Sequence, residues 1–278
     1  MRHTILRALL CGGMVALAGC AGVGGDVNKA LSGLDEEGGI REVMLSVAEP
    51  AEAVTYFQGR LADAPEDTAL MRDLAASLMR AGRVTEGVLA WRKVVALPDA
   101  GPEDQVQLAH ALIRASEWDE AKRILDSIPP THRSFERYRL EAVVADSTRD
   151  WQRADSFYET AVDLTTTPAG VLNNWGYSKL TRGDGPEAER LLTEAITYDQ
   201  SLFTAKNNLV LARAMRRVYA LPSIPMTQEE RAQLLHTAGL AAVKQGDTDI
   251  GRNLIEDAID THPRHFEAAV RALEALNA

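Results

Sequence analysis

Six times along this chain a small residue is followed four positions later by a bulky apolar one: Ala53 and Phe57, Gly87 and Trp91, Ala121 and Leu125, Ala154 and Tyr158, Ala188 and Leu192, Gly251 and Ile255. The intervals between the small residues are 34, 34, 33 and 34, with a last of 63. Residues four apart lie on one face of a helix. A period of this length is therefore a copied helix pair that cannot bury its own apolar stripe and must be covered by its neighbours. The chain is confined to an all-α stacked array.

The stretch from Val171 to Leu209 shows the unit most clearly. Leu172, Trp175 and Leu180, then Ala188, Leu191, Leu192, Ala195 and Ile196, place apolar groups three and four apart on two successive helices. Gly183, Asp184, Gly185 and Pro186 separate them, with glycine suited to a left-handed cap and proline to a first turn. Small residues at Gly176, Ala188 and Ala195 stand where the two axes must come close. Of the 278 residues 46% are hydrophobic and 5% aromatic, as an Ala/Leu-rich array requires. The formal net charge of -10 and the lack of a basic run exclude nucleic acid as the expected partner.

Earlier repeats follow the same reading, with the first, from about Leu34 to Asp67, the weakest. The fourth carries Glu141 where an apolar residue is usual. After a helix expected from about Leu202 to Tyr219, the LPSIPM segment with Pro222 and Pro225 interrupts the superhelix over 220–227. Thr227 and Glu230 have the spacing of a capping box, opening a helix through about Gln245. A late repeat follows, and Phe266 to Leu276 form a terminal capping helix.

The small-then-large pattern resembles the tetratricopeptide repeat (TPR), and the expected fold is an all-α TPR α-solenoid of about six helix-turn-helix repeats with a C-terminal capping helix. The resemblance implies that the first helix of each pair lines a groove. Residues just before the usual Trp/Leu position, Asp73, Gln107, Asn174 and Asn208, with Asn173 and Asn207 beside the last two, are the expected partner-binding set. Paired asparagines one repeat apart resemble ladders that hold an extended peptide backbone, since an amide both donates and accepts. Arg72, Arg80 and Arg114 add positive charge to the N-terminal half, and His110 belongs to the same surface or to the packing.

Arg2, His3 and Arg7, an apolar run over 8–17, and Leu17-Ala18-Gly19-Cys20 resemble a lipoprotein signal with its lipobox. The expected organisation is a signal peptide over 1–19, an acylated Cys20 with a flexible tether over 20–39, and the repeat domain over 40–278. Ala21, rather than Asp, follows Cys20, which points to the periplasmic face of the outer membrane. The lipobox, the NNWGY and AKNNL segments and the block from Thr227 to Asp247 together resemble the TadD-like lipoproteins of tight-adherence (Flp) pilus assembly. That resemblance implies a non-enzymatic scaffold that places or assembles the secretin or another pilus-assembly component. The alternative is a TPR lipoprotein adaptor recruiting cell-wall enzymes or outer-membrane assembly factors. No catalytic constellation, cofactor motif or metal-binding spacing is present: His132, His236, His262 and His265 are scattered, and Pro263 breaks the last pair.

Overall fold

The computed structural model describes residues 36–277, and the signal peptide, Cys20 and most of the tether lie outside the described residues. Fourteen helices and no strand are found among the described residues. They are α1 (Glu36–Ser46), α2 (Pro50–Asp63), α3 (Thr68–Arg80), α4 (Val84–Val95), α5 (Pro102–Arg114), α6 (Trp118–Ser127) and α7 (Phe135–Ser147). The chain continues with α8 (Trp151–Asp163), α9 (Ala169–Thr181), α10 (Gly185–Tyr198), α11 (Phe203–Ala214), α12 (Gln228–Lys244), α13 (Thr248–Thr261) and α14 (Glu267–Asn277). The fold is the TPR α-solenoid expected from the repeat, although α1 begins at Glu36, inside the stretch assigned to the tether.

Five pairs, α1/α2 to α9/α10, alternate an A helix with a B helix, and α12/α13 form the last pair, covered by α14. A left-handed residue marks the A-to-B turn of each repeat after the first: Gly82, Ser116, Arg149, Gly183, Arg217 and Gly246 all have positive φ. The turn before α2 does not share this mark. The left-handed turn survives at Arg217 although no B helix follows it.

The small residues act at the A/B crossing. A Cβ on Gly176 would lie 2.6 Å from Leu192 Cγ, and one on Gly251 would lie 2.7 Å from the Gly239 carbonyl oxygen. Ala53, Ala121, Ala154 and Ala188 are fully buried at the equivalent positions. The bulky partners Phe57, Leu125, Tyr158, Leu192 and Ile255 are buried with them, and Trp91 is 5% exposed. Each such side chain removed from water contributes about 1.5–3 kcal/mol, so the crossings and their anchors form a continuous core.

Glu141 has a physical reason. It is buried and accepts from Arg137 Nε at 2.7 Å, while Arg137 Nη1 donates to the carbonyls of Pro129 and His132 at 2.7 and 2.9 Å. The pair ties the Pro129-Pro130 turn, which no helix interior accommodates, to the start of α7.

At the interruption, α11 ends at Ala214, short of the expected Tyr219, and an irregular strap runs to the Thr227 N-cap. Thr227 and Glu230 form the expected capping box. Ile224 packs against the α10/α11 core, and Leu221 and Met226 pack under α12. The buried Tyr219 hydroxyl donates to Asp247 Oδ2 at 2.5 Å, and Arg217 Nη1 reaches Asp247 Oδ1 at 2.6 Å. The strap thus covers the apolar surface that a B helix would cover.

The crossing geometry ranks two glycines. At Gly251 a Cβ would meet the branched Val243 side chain and also backbone, the Gly239 carbonyl at 2.7 Å and Val243 N at 3.0 Å, whereas at Gly87 the close atoms belong to the flexible Met79 side chain. Gly251→Ala is expected to destabilise the chain by about 1–3 kcal/mol through overpacking. Gly87→Ala is expected to be within about 1 kcal/mol of wild type, because helix propensity offsets the displaced Met79. Urea unfolding of the two variants checks the order.

Candidate binding groove

The A helices stand side by side, and among the described residues hydrogen bonds between polar side chains bridge every neighbouring pair except α5 and α7. Arg41 Nη2 donates to Asp73 Oδ1 at 2.8 Å, and Arg72 Nε to Asp104 Oδ1 at 2.8 Å. Ser178 Oγ donates to Asp146 Oδ1 at 2.6 Å, and Asn208 Nδ2 to Asn173 Oδ1 at 3.1 Å. Thr237 Oγ1 donates to Asn207 Oδ1 at 2.8 Å, so α12 takes the place of the next A helix although the B helix between is missing. Buried Lys206 reinforces this junction with Nζ 2.9 Å from Glu230 Oε2. The row of A helices therefore continues across the strap.

The anticipated residues fall into two groups. Asp73 is 5% exposed and its carboxylate is taken by Arg41; Arg72 is taken by Asp104 and Asp99. Asn173, Asn207 and Asn208 bridge neighbouring helices, each retaining amide valences beyond the bond it makes. Gln107 donates to Glu103 Oε1 at 2.9 Å on its own helix. Asn174 lines the A-helix face and has no side-chain hydrogen bond among the described residues.

Asn174 belongs to a pocket of about 560 Å³ spanning three A helices. His110, Ile113 and Arg114 come from α5, Leu140, Val143 and Ser147 from α7, and Asn174, Tyr177 and Thr181 from α9. Trp118 and Trp151, each two residues past a left-handed turn, open α6 and α8 at its rim. Tyr177 is 53% exposed and Trp118 36%. These aromatics were not anticipated as groove residues. Their shared signal is the equal offset of Trp118 and Trp151 from Ser116 and Arg149, which only the turn register makes visible.

The floor is a hydrogen-bonded network. Tyr158 Oη donates to Asp146 Oδ2 at 2.8 Å, and burial, with Asp146 beside it, pushes the phenol well above its ordinary range. Behind it, Asp155 accepts from Trp175 Nε1 at 2.7 Å, Arg182 Nη2 at 2.7 Å and Lys179 Nζ at 2.9 Å. Burial acts to raise the Asp155 carboxyl, but the hydrogen bonds from Arg182, Lys179 and Trp175 outweigh it and hold it at about 2. The Arg182 guanidinium also lies over the Trp151 ring, 5.0 Å from its centroid. His110, half-buried, is held below the ordinary imidazole range by burial against the opposing pull of Glu136. Among the described residues no group of His, Cys, Asp and Glu is arranged to hold a metal ion.

Arg80 and Arg114 occupy the same position of successive repeats, at the ends of α3 and α5. Arg80 donates to the carbonyls of Met44, Leu45 and Ala48, and Arg114 Nη1 to Met79 O at 2.8 Å. Each caps the preceding A helix, where a cation is favoured by the helix dipole. Neither meets a carboxylate in an ion pair among the described residues, and Arg114 lines the groove.

Because the folded-state pKa of Asp155 lies below its ordinary 3.8, its contribution to stability is complete above about pH 4 and is lost as pH falls toward about 2. Asp155→Asn is expected to lower stability by about 1 kcal/mol at neutral pH, after allowance for solvent screening. It should also flatten the loss between about pH 4 and 2. Thermal melts of both proteins across that range check it.

Residues 236–278 match the family model described as Tetratricopeptide repeat. The chain is 27% identical over 138 residues to Tetratricopeptide repeat protein 21B of Mus musculus; the match covers 45% of this chain and 10% of that relative. Among solved structures, the APC/C hetero-tetramer Cut9-Hcn1 superposes with a TM-score of 0.63 at 12% identity, covering 86% of this chain and 48% of that one. A tetratricopeptide repeat protein from Parabacteroides merdae superposes with a TM-score of 0.56 at 12% identity, covering 91% and 97%. At these identities the likeness shows the fold, a tetratricopeptide-repeat type of α-solenoid, and the family model matches its last repeat.

Proposed function

We propose that this chain is a non-enzymatic scaffold that holds an extended segment of a partner protein against its A-helix face, in the assembly of a tight-adherence (Flp) pilus. The observation that carries the reading is the pocket over α5, α7 and α9. There the free Asn174 amide, exposed Tyr177 and two tryptophans stand with Ile113, Leu140 and Val143 over the hydrogen-bonded Tyr158–Asp146 floor, apolar contact area beside a few fixed polar groups, as peptide recognition requires. Aromatic side chains present large contact area with few rotatable bonds, and an unpaired amide satisfies a backbone N–H and C=O together. The partner is the secretin or another pilus-assembly component. Acylated Cys20 anchors the scaffold to the periplasmic face of the outer membrane. No described helix is long and apolar enough to cross a membrane.

Two experiments test this reading. Asn174→Ala combined with Tyr177→Ala is expected to weaken the partner's affinity at least about tenfold, with the helical signal unchanged because neither side chain is buried. Co-purification of the secretin from detergent-solubilised membranes, followed by titration, reads the effect; unchanged affinity moves the binding face elsewhere. If cell-wall enzymes co-purify in place of pilus components, the adaptor alternative replaces the pilus role. Separately, Cys20→Ala is expected to abolish palmitate incorporation, and a variant that still takes up label contradicts the anchor.

A further inference from the structure

The A-to-B turns put each A helix in a common register, counted back from the left-handed residue. Six positions before Arg149, Gly183, Arg217 and Gly246 stand Val143, Tyr177, Leu211 and Leu240. All are apolar or aromatic, none is buried, and Tyr177 and Leu240 are 53% and 45% exposed. Nine positions before the last three stand Asn174, Asn208 and Thr237. The bonds from Asn208 to Asn173 and from Thr237 to Asn207 hold these helices in line across the strap. One repeat upstream, His110 takes the position of the apolar row, and Arg114 lies beside it with its Nη1 on the Met79 carbonyl. The A-helix face thus carries an apolar row with an amide and hydroxyl row beside it, and at its N-terminal end Arg114, outside any ion pair among the described residues, on a chain of net charge -10.

Spacing selects the occupant. The Ser178–Asp146, Asn208–Asn173 and Thr237–Asn207 bonds make α7, α9, α11 and α12 packed neighbours, and packed helices lie about 8–10 Å apart, so the gaps in the apolar row are of that order. A β-strand turns side chains to one face every two residues, about 6.6 Å. A polyproline II chain does so every three, about 9.3 Å at 3.1 Å per residue. An α-helix would match with anchors seven apart, but its backbone is satisfied internally and leaves the amide row unused. A polyproline II backbone has no internal hydrogen bonds and can take them from that row.

Resting on the scaffold reading above, we propose that the groove binds a partner segment in polyproline II conformation with an apolar side chain at every third position. An acidic residue at the end of the run lies over Arg114. The three gaps, Val143 to Tyr177, Tyr177 to Leu211 and Leu211 to Leu240, take three successive apolar side chains. Charge complementarity orients the segment.

The test is fluorescence anisotropy of the full-length chain in detergent with dye-labelled peptides on one polar host sequence. The peptides carry three leucines at spacings of two, three or seven, with a Glu-Glu pair at either end or none. The spacing-three peptide with one Glu-Glu placement is expected to bind about tenfold or more tighter than the other spacings, the effect of one well-seated apolar side chain. Tyr177→Ser and Leu240→Ser should each weaken it. Arg114→Gln should remove the advantage of Glu-Glu and its salt dependence, and removing either leucine-facing or charge-facing contact should leave the helical signal intact. Equal or tighter binding at spacing two or seven, sensitive to Tyr177→Ser, overturns the polyproline II register but leaves the A-helix face as the binding surface. Binding insensitive to Tyr177→Ser, or no binding by any peptide, overturns both.

Discussion

Everything in this molecule depends on how closely the A helix approaches the B helix within each repeat. Small residues on the B helix, and glycines opposite them in the fifth and last repeats, bring the axes together until backbone meets backbone, as at Gly239 and Gly251. That approach buries the bulky residue four positions on, and it leaves room for the next repeat to lie flush. With little aromatic mass to spare, the array is held by many such crossings, each of ordinary size, as expected of a solenoid whose stability sums over units and their interfaces.

A second set of contacts governs the face that the crossings create. The bridges Arg41 to Asp73, Arg72 to Asp104, Ser178 to Asp146, Asn208 to Asn173 and Thr237 to Asn207 fix one A helix against the next. Arg80 and Arg114 serve the same end by capping the helix before them. The arginine bonds among them use up much of the polar capacity of the N-terminal half. The free amide, the exposed aromatics and the apolar row lie farther along, so the binding capacity of the face is concentrated over α5 to α12. The strap from 215 to 227 removes a B helix without removing an A helix, and the face stays continuous where the superhelix was expected to break.

The repeat, the capping box at Thr227 and the covering helix α14 were legible because each rests on local spacing, and local spacing is what a sequence records. The groove was legible only in part. Asp73 and Asn208 sit at the right register, yet whether a polar side chain faces solvent or crosses to the next repeat depends on a partner about thirty-two to thirty-five positions away, which no window of sequence displays. Trp118 and Trp151 were hidden for another reason: they open B helices, and the groove was expected along the first helix of each pair. Ser116 and Arg149 adopt the left-handed turn without being glycine, so the punctuation that marks Gly82 and Gly183 was missing where it would have drawn attention to the tryptophan two residues on.

Two exposed tyrosines allow the account to be tested in place. Tyr177, 53% exposed, is on the A-helix face; Tyr198, 57% exposed, ends α10 among the B helices. A photo-crosslinking aromatic amino acid introduced at position 177 or at position 198 of the full-length chain, in the native membrane, reports which face meets the partner. The account predicts a discrete crosslinked adduct from position 177 and none from position 198. An adduct from position 198 alone would place the partner on the B-helix side and contradict it.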